Sequence, residues 1–175
     1  HRMYQEKNYG CDPSEYISQK WAFSMVDKCI VLEDDDVPSV SFFTFCKEML
    51  DKYEQDTRIT MIAGFNNEEI TPDVPYDYFF TSTFSIWGWA SWKRVIDQWD
   101  EHYTFLEDTF NMQQLEQLMK ERKFRKDFIY MCHRHKENNK AYYETIFHAS
   151  MLFNSGLAIV PTRNMINNLG VTADS

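Results

Sequence analysis

Four consecutive carboxylates, Glu33-Asp34-Asp35-Asp36, follow directly on the apolar run Cys29-Ile30-Val31-Leu32. Adjacent carboxylates repel one another, and a hard divalent cation relieves that repulsion. Mg²⁺ or Mn²⁺ held by one or two of them can bridge a diphosphate and offset its charge. The same residues also suit a solvated acidic turn before a helix, where the macrodipole favours negative charge. A second group, Tyr142-Tyr143-Glu144, sets a carboxylate beside two aromatic rings. A partly apolar setting raises a carboxyl pKa and suits it to take a proton from a hydroxyl; the plain alternative is a surface glutamate on a helix. His148 lies one helical turn further on, placed either to orient Glu144 or to pack as a structural histidine.

A third group is Trp87-Gly88-Trp89-Ala90-Ser91-Trp92. Gly88 permits a close backbone approach, and an exposed indole stacks on a sugar face while donating one hydrogen bond. Tryptophans this dense are more often core, so we expect one of Trp87 and Trp89 to be buried and the other to stand near an acceptor. Lys93 and Arg94 reach either a phosphate or only solvent. His133 and His135 have two-residue spacing in the basic stretch His133-Arg134-His135-Lys136, and a solvated helix end is expected there rather than a metal site.

These groups need elements to carry them. Lys28 to Leu32 reads as a short strand covered on both faces, which argues an α/β sheet. Pro38 and Ser41 open a helix with Ser41 as N-cap; Phe42, Phe45, Cys46, Met49, Leu50 and Tyr53 recur at helical spacing along it. Arg58 to Ala63 is the next strand, giving the strand–helix–strand pattern of a parallel pair. In open parallel sheets the C-terminal strand ends are where ligands bind, and the acidic run sits at such an end. Residues 71–77 form a loop, 78–80 a short strand, and 91–99 a helix. Residues 110–131 make one or two helices with Leu115, Leu118 and Met119 inward. Residues 142–153 form another helix and 156–160 a late strand; 164–175 reads as loop.

At 175 residues the chain fits one domain with a substantial core. A formal net charge of −9 repels phosphate backbones, which argues against nucleic-acid partners. Cys11, Cys29, Cys46 and Cys132 show no C-x-x-C spacing and read as reduced, mostly buried thiols, which suits the cytoplasm. No apolar run approaches the roughly 18 residues of a membrane span, and no signal peptide is visible.

Leu32-Glu33-Asp34-Asp35-Asp36-Val37-Pro38-Ser39, with Ser41-Phe42-Phe43, resembles the L-E-D-D-x-x-P-x-x-S-F-F segment of GT-A-type glycosyltransferases, above all bacterial hemolytic-protein-like sugar transferases. Further similarities fall in the same order. Asn8-Tyr9-Gly10-Cys11 resembles an N-x-G element, and Arg58-Ile59 through Gly64-Phe65-Asn66 the next strand and loop. Ile86-Trp87-Gly88-Trp89-Ala90-Ser91-Trp92-Lys93-Arg94 is similar to W-G-W-A-T-W-x-R. Gly156 through Pro161, then Asn164 and Asn167-Asn168-Leu169-Gly170, resembles the closing strand and Asn-rich loop. The resemblance covers nearly the whole chain, as a core lacking the family's first strands and its following T-H stretch.

The resemblance implies a single GT-A-like domain over 1–175, N-terminally truncated, with a mostly parallel central sheet flanked by helices. It implies Mn²⁺- or Mg²⁺-dependent transfer of a hexose or N-acetylhexosamine, with inversion, from a UDP-sugar to a glycan or lipid-linked acceptor. Asp35 would coordinate the metal; Glu33, Asp34, Asn8 and Gly10 would serve the donor, with the role of Asp36 open. Trp87, Gly88, Trp89 and Tyr143 would meet the acceptor. Counting back from Pro161, Glu144 falls where the family's W-D-x-x-W element has its acid, with Tyr143 for the tryptophan, which implies that Glu144 is the base. The location expected is the cytoplasm, with peripheral association at the inner face of the bacterial membrane left open. Two rival classes are a non-catalytic glycan-binding module of this fold and another Mg²⁺-dependent phosphoryl or nucleotidyl transferase; the latter lacks a Gly-rich phosphate loop or an aspartyl nucleophile motif here.

Overall fold

The computed structural model describes residues 1–170. Its apolar runs assemble into a five-stranded mixed sheet with helices packed on it, an α/β arrangement. The strands are β1 (Lys28–Val31), β3 (Ile59–Ala63), β4 (Tyr78–Thr81), β5 (Trp89–Trp92) and β6 (Leu157–Pro161), in the order β1-β5-β3-β6-β4. A separate two-stranded ribbon pairs β2 (Asp36–Pro38) with β7 (Ile166–Asn168). The helices are α1 (Cys11–Met25), α2 (Val40–Lys52), the single turn α3 (Lys93–Ile96), α4 (Thr109–Leu118), α5 (Arg122–Glu137) and α6 (Tyr143–Phe153).

The sheet is not mostly parallel. Only β3 and β6 pair parallel; β1–β5, β3–β5 and β4–β6 are antiparallel. The reason is the insertion of β5 between β1 and β3. Those two strands run in the same direction, as a strand–helix–strand unit requires, but do not touch as a ladder. Trp89–Trp92 therefore forms a fully buried strand where the spacing suggested a helix over 91–99, and helix follows only at Lys93–Ile96. Helical spacing in a four-residue apolar run does not distinguish the two states, and pairing on both edges decided for strand. Strand β1 lies at the sheet edge with half-buried residues, not covered on both faces.

Helix α2 begins at Val40 with Ser39, not Ser41, at the N-cap, and no side-chain cap bond forms there. Its apolar positions pack as expected: Phe42, Phe45, Cys46, Met49 and Leu50 are buried. Residues 110–131 divide into two helices broken at Met119-Lys120-Glu121. Leu115 and Met119 face inward, but Leu118 is exposed. Helix α6 and strand β6 match the expected segments within a residue or so. The tail is not all loop, since Ile166–Asn168 pairs with the acidic turn's outgoing strand; residues 171–175 lie outside the described residues.

The core is aromatic. Trp89 stacks against Phe23 of α1 and Tyr143 of α6 and meets Phe147; Trp99 stacks on Tyr16 and Tyr143. Large flat side chains from α1, β5 and α6 thus lock the three elements whose ends carry the candidate chemistry. All four cysteines are free thiols; Cys46 and Cys132 are buried, Cys29 is half-buried and Cys11 is exposed. Among the described residues no helix is long and apolar enough to cross a membrane.

Candidate functional site

Strand β1 ends at Val31 on the sheet edge, and the chain turns through Glu33-Asp34-Asp35 into β2. Asp36 holds this turn together. Its Oδ2 accepts hydrogen bonds from the backbone N–H of Glu33 (3.0 Å) and of Gly88 (2.9 Å). Burial raises its pKa against the lowering effect of those two bonds. Its role, left open by the sequence, is to bracket the acidic turn onto the loop before β5. Gly88 is required there: its φ is +58°, and a Cβ would come within 2.5 Å of Ile166.

Asp35 is half-buried and pinned from the other side. Asn168 of β7 donates from its amide to Asp35 Oδ1 (3.1 Å), and the Leu169 N–H donates to the Asp35 carbonyl (2.9 Å). Gly170 lies so close to Asp35 Oδ2 that a side chain there would collide with it. Asp34 is exposed at the tip. Among the described residues no group of three or more His, Cys, Asp or Glu side chains forms a ready-made metal cage. The donor set present, one oriented carboxylate with a second exposed beside it, is all hard oxygen. Hard oxygens of this kind are what Mg²⁺ and Mn²⁺ take, but Asp35 Oδ1 already accepts from Asn168 and Gly170 lies against Oδ2, so a cation here would draw most of its ligands from other molecules.

Glu33 connects the turn to the next region. Tyr143, buried at the start of α6, donates from its hydroxyl to Glu33 Oε1 (3.2 Å). Glu33 is pushed up to about 7, first by burial and then by the charges of Glu15 and Asp36. Glu15 is a residue that sequence reading missed. It sits on α1, accepts from the Cys11 thiol (3.3 Å), and has its own pKa raised chiefly by burial. The signal was present: Gly10 and Asp12-Pro13 are helix-start residues, and Tyr16, Gln19 and Phe23 follow at helical spacing as the buried face. Asn8 and Gly10 shape this helix start. The Gly10 N–H donates to Asn8 Oδ1 (2.8 Å), and Gly10 is the N-cap with φ +91°. Both are exposed, and no hydrogen bond among the described residues joins either to the acidic turn.

The residue after Tyr143 opens onto a cleft. Glu144, half-buried, lines a cavity of about 460 Å³ together with Phe84, Trp87, Phe124, Phe128 and His148. Burial pushes Glu144 up to about 7, and the charges of Asp12 and Glu15 add to it. His148 shares the cleft but makes no hydrogen bond to Glu144; it packs among Phe84, Phe124 and Phe128, and burial lowers its pKa. Of the tryptophan pair, Trp89 is fully buried, whereas Trp87 is half-buried in the cleft wall with its ring 4.7 Å from that of Phe65.

Several other groups are structural. The Arg94 guanidinium donates to the carbonyls of Asp56 and Ile59 and lies over Trp92; Lys93 pairs with Asp97. His133 is exposed as expected, but His135 is not a solvated helix end. It stacks on Tyr142 at 3.7 Å, and its Nδ1 lies 2.9 Å from Thr145 Oγ1. The cleft walls contributed by Phe84, Phe124 and Phe128 were also not foreseen; they come from separate parts of the chain, and nothing local marks them as neighbours. No family model matches the chain, and no curated protein matches it significantly.

Proposed function

We propose that the chain is the core of a divalent-metal-dependent, inverting glycosyltransferase of GT-A type, acting on a UDP-sugar and a glycan or lipid-linked acceptor. One observation carries this reading: the Tyr143–Glu33 hydrogen bond joins the acidic turn to the residue next to Glu144, so a diphosphate-holding end and a proton-accepting cleft adjoin. Mg²⁺ or Mn²⁺ bound at Asp35, with Asp34 beside it, would offset the charge of the leaving diphosphate.

The residues divide the remaining work. Asp36, Asn168 and Gly88 hold the turn in place. Trp87, on the cleft wall, offers an indole face to a sugar ring. Glu144 takes the proton of the attacking acceptor hydroxyl. The oxygen of that hydroxyl forms the bond to the anomeric carbon as the carbon–oxygen bond to the diphosphate breaks, and its electron pair leaves with UDP. Attack from the face opposite the nucleotide inverts the anomeric centre. A carboxyl near pKa 7 is matched to proton transfer at neutral pH.

Calorimetry of the chain with UDP-sugars, with and without Mn²⁺, tests the reading. Mn²⁺-dependent binding that Asp35→Ala abolishes and Glu144→Gln retains is the expected pattern. Binding of glycans with no response to nucleotide or Mn²⁺ would instead identify a non-catalytic module.

A further inference from the structure

The chain is strongly acidic, yet its positive charge is gathered in one place. Residues 120–140 hold eight of the 18 Lys and Arg residues and three of the 27 acids, a net of +5 (8 less 3) against −14 (10 less 24) for the rest. Most of this segment is helix α5. One side of α5 is spoken for: Phe128 and Cys132 are buried, Arg125 donates to the carbonyls of Glu116 and Met119, and Lys136 pairs with Glu107. On the opposite side, by 3.6-residue periodicity, stand Lys123, Lys126, Tyr130 and Arg134, flanked by Arg122 and His133 and by the acids Asp127 and Glu137, all exposed, so the face is net positive but not uniformly basic. None of these four cations forms an ion pair among the described residues.

Next around the helix are Phe124 and Met131, which are exposed and also line the cleft that holds Glu144. A basic helix face carrying an outward tyrosine and rimmed by exposed apolar side chains is the composition that settles at an anionic lipid interface: cations meet headgroups while Phe, Tyr and Met enter the acyl boundary. A nucleic-acid groove is the poorer match. The exposed Phe124 and Met131 beside the cations have an acyl boundary to enter at a membrane and no counterpart along a phosphate backbone.

We propose that the outer face of α5 docks the protein on an anionic membrane surface, with the cleft mouth at Phe124 and Met131 turned to the lipid boundary. The acceptor would then be a saccharide or hydroxyl carried on a membrane lipid; that half rests on the transferase reading above, while the docking surface does not.

Sedimentation of the 175-residue chain with vesicles tests both halves. Vesicles of phosphatidylcholine with phosphatidylglycerol should bind it at low salt and release it as salt rises; pure phosphatidylcholine vesicles should not bind it. A triple substitution, Lys123→Gln with Lys126→Gln and Arg134→Gln, should weaken binding about a hundredfold, at about fivefold per charge. A control with the same charge change elsewhere, Lys7→Gln with Lys47→Gln and Arg163→Gln, should bind like the parent. Equal binding to both vesicle types, equal loss in the control, or tighter binding to a single-stranded oligonucleotide than to anionic vesicles would overturn the docking surface. Vesicle binding without Mn²⁺-dependent UDP-sugar binding would uphold the docking surface and remove the lipid-acceptor assignment. UDP-sugar binding without vesicle binding would overturn the docking surface and the lipid-acceptor assignment together, leaving a transferase with a soluble acceptor.

Discussion

Glu33, in the acidic turn, and Glu144, in the aromatic cleft, are both held near a pKa of about 7, and they differ in what holds them there. Burial is the largest cause for each. At Glu33, however, the neighbouring anions Glu15 and Asp36 come next, and a hydrogen bond from Tyr143 pulls the other way. At Glu144 no other side chain forms a hydrogen bond among the described residues, and Asp12 and Glu15 contribute less than burial. A carboxyl raised by other carboxylates is relieved when a cation arrives. A carboxyl raised by apolar walls stays raised, and so remains available to accept and release a proton near neutrality. The two regions meet at the Tyr143–Glu33 hydrogen bond and at the Trp87-Gly88 step, where Trp87 lines the cleft and the Gly88 N–H donates to Asp36.

That division makes distinct predictions. Trp89 packs on Tyr143, which holds Glu33, and on Phe147, which backs the cleft residue Phe84, so its removal should damage both regions: Trp89→Ala is expected to destabilise the fold by about 3–5 kcal/mol, read from urea unfolding. Trp87→Ala, half-buried in the cleft wall, should lose far less. Equal losses would mean that the cleft is part of the same core and not a separate surface.

Gly88→Ala should act first on the acidic turn, through Asp36 and Ile166. The added methyl meets Ile166, and a φ of +58° is unfavourable for alanine, so a loss of about 1–3 kcal/mol is expected. The far wall of the cleft, read by the chemical shift of His148, should change less than the shifts of Asp36 and Asn168.

The smallest expected effect concerns Glu144. Its folded-state pKa lies above the unfolded value, so the folded state binds the proton more tightly. Its favourable contribution is complete below about 4.5 and is lost as pH rises through about 7. Glu144→Gln, neutral at every pH, should therefore raise the melting temperature at pH 8 by about 2–4 °C and leave it unchanged at pH 4.5. A gain of the same size at both values would remove buried charge as the explanation. If Glu144 acts as the proposed base, the transfer rate should rise with pH through about 7 and then level.

Much of the scaffold was legible from local pattern. Strand β3, the apolar face of α2, helix α6 and strand β6 follow from runs whose period matches a single state. Pairing was less legible. Trp89–Trp92 carries no local mark that sets it between β1 and β3, and Ile166–Asn168 is too short and polar to announce a strand. The contribution of Glu15 to the acidic region had a helix-start signal behind it, but its proximity to Glu33 had none.

Residue types and short-range spacing determined where the carboxylates, tryptophans and helical faces lie along the chain, because period and turn chemistry act over a few residues. Only the tertiary structure decided that the sheet is mixed, that Trp89 and not Trp87 is buried, that Asp36 is a bracket, and that Glu144 shares a cleft with Phe84, Phe124 and Phe128. Those outcomes depend on which surfaces meet across tens of residues, and burial, the force that selects among such meetings, carries no direction along the chain.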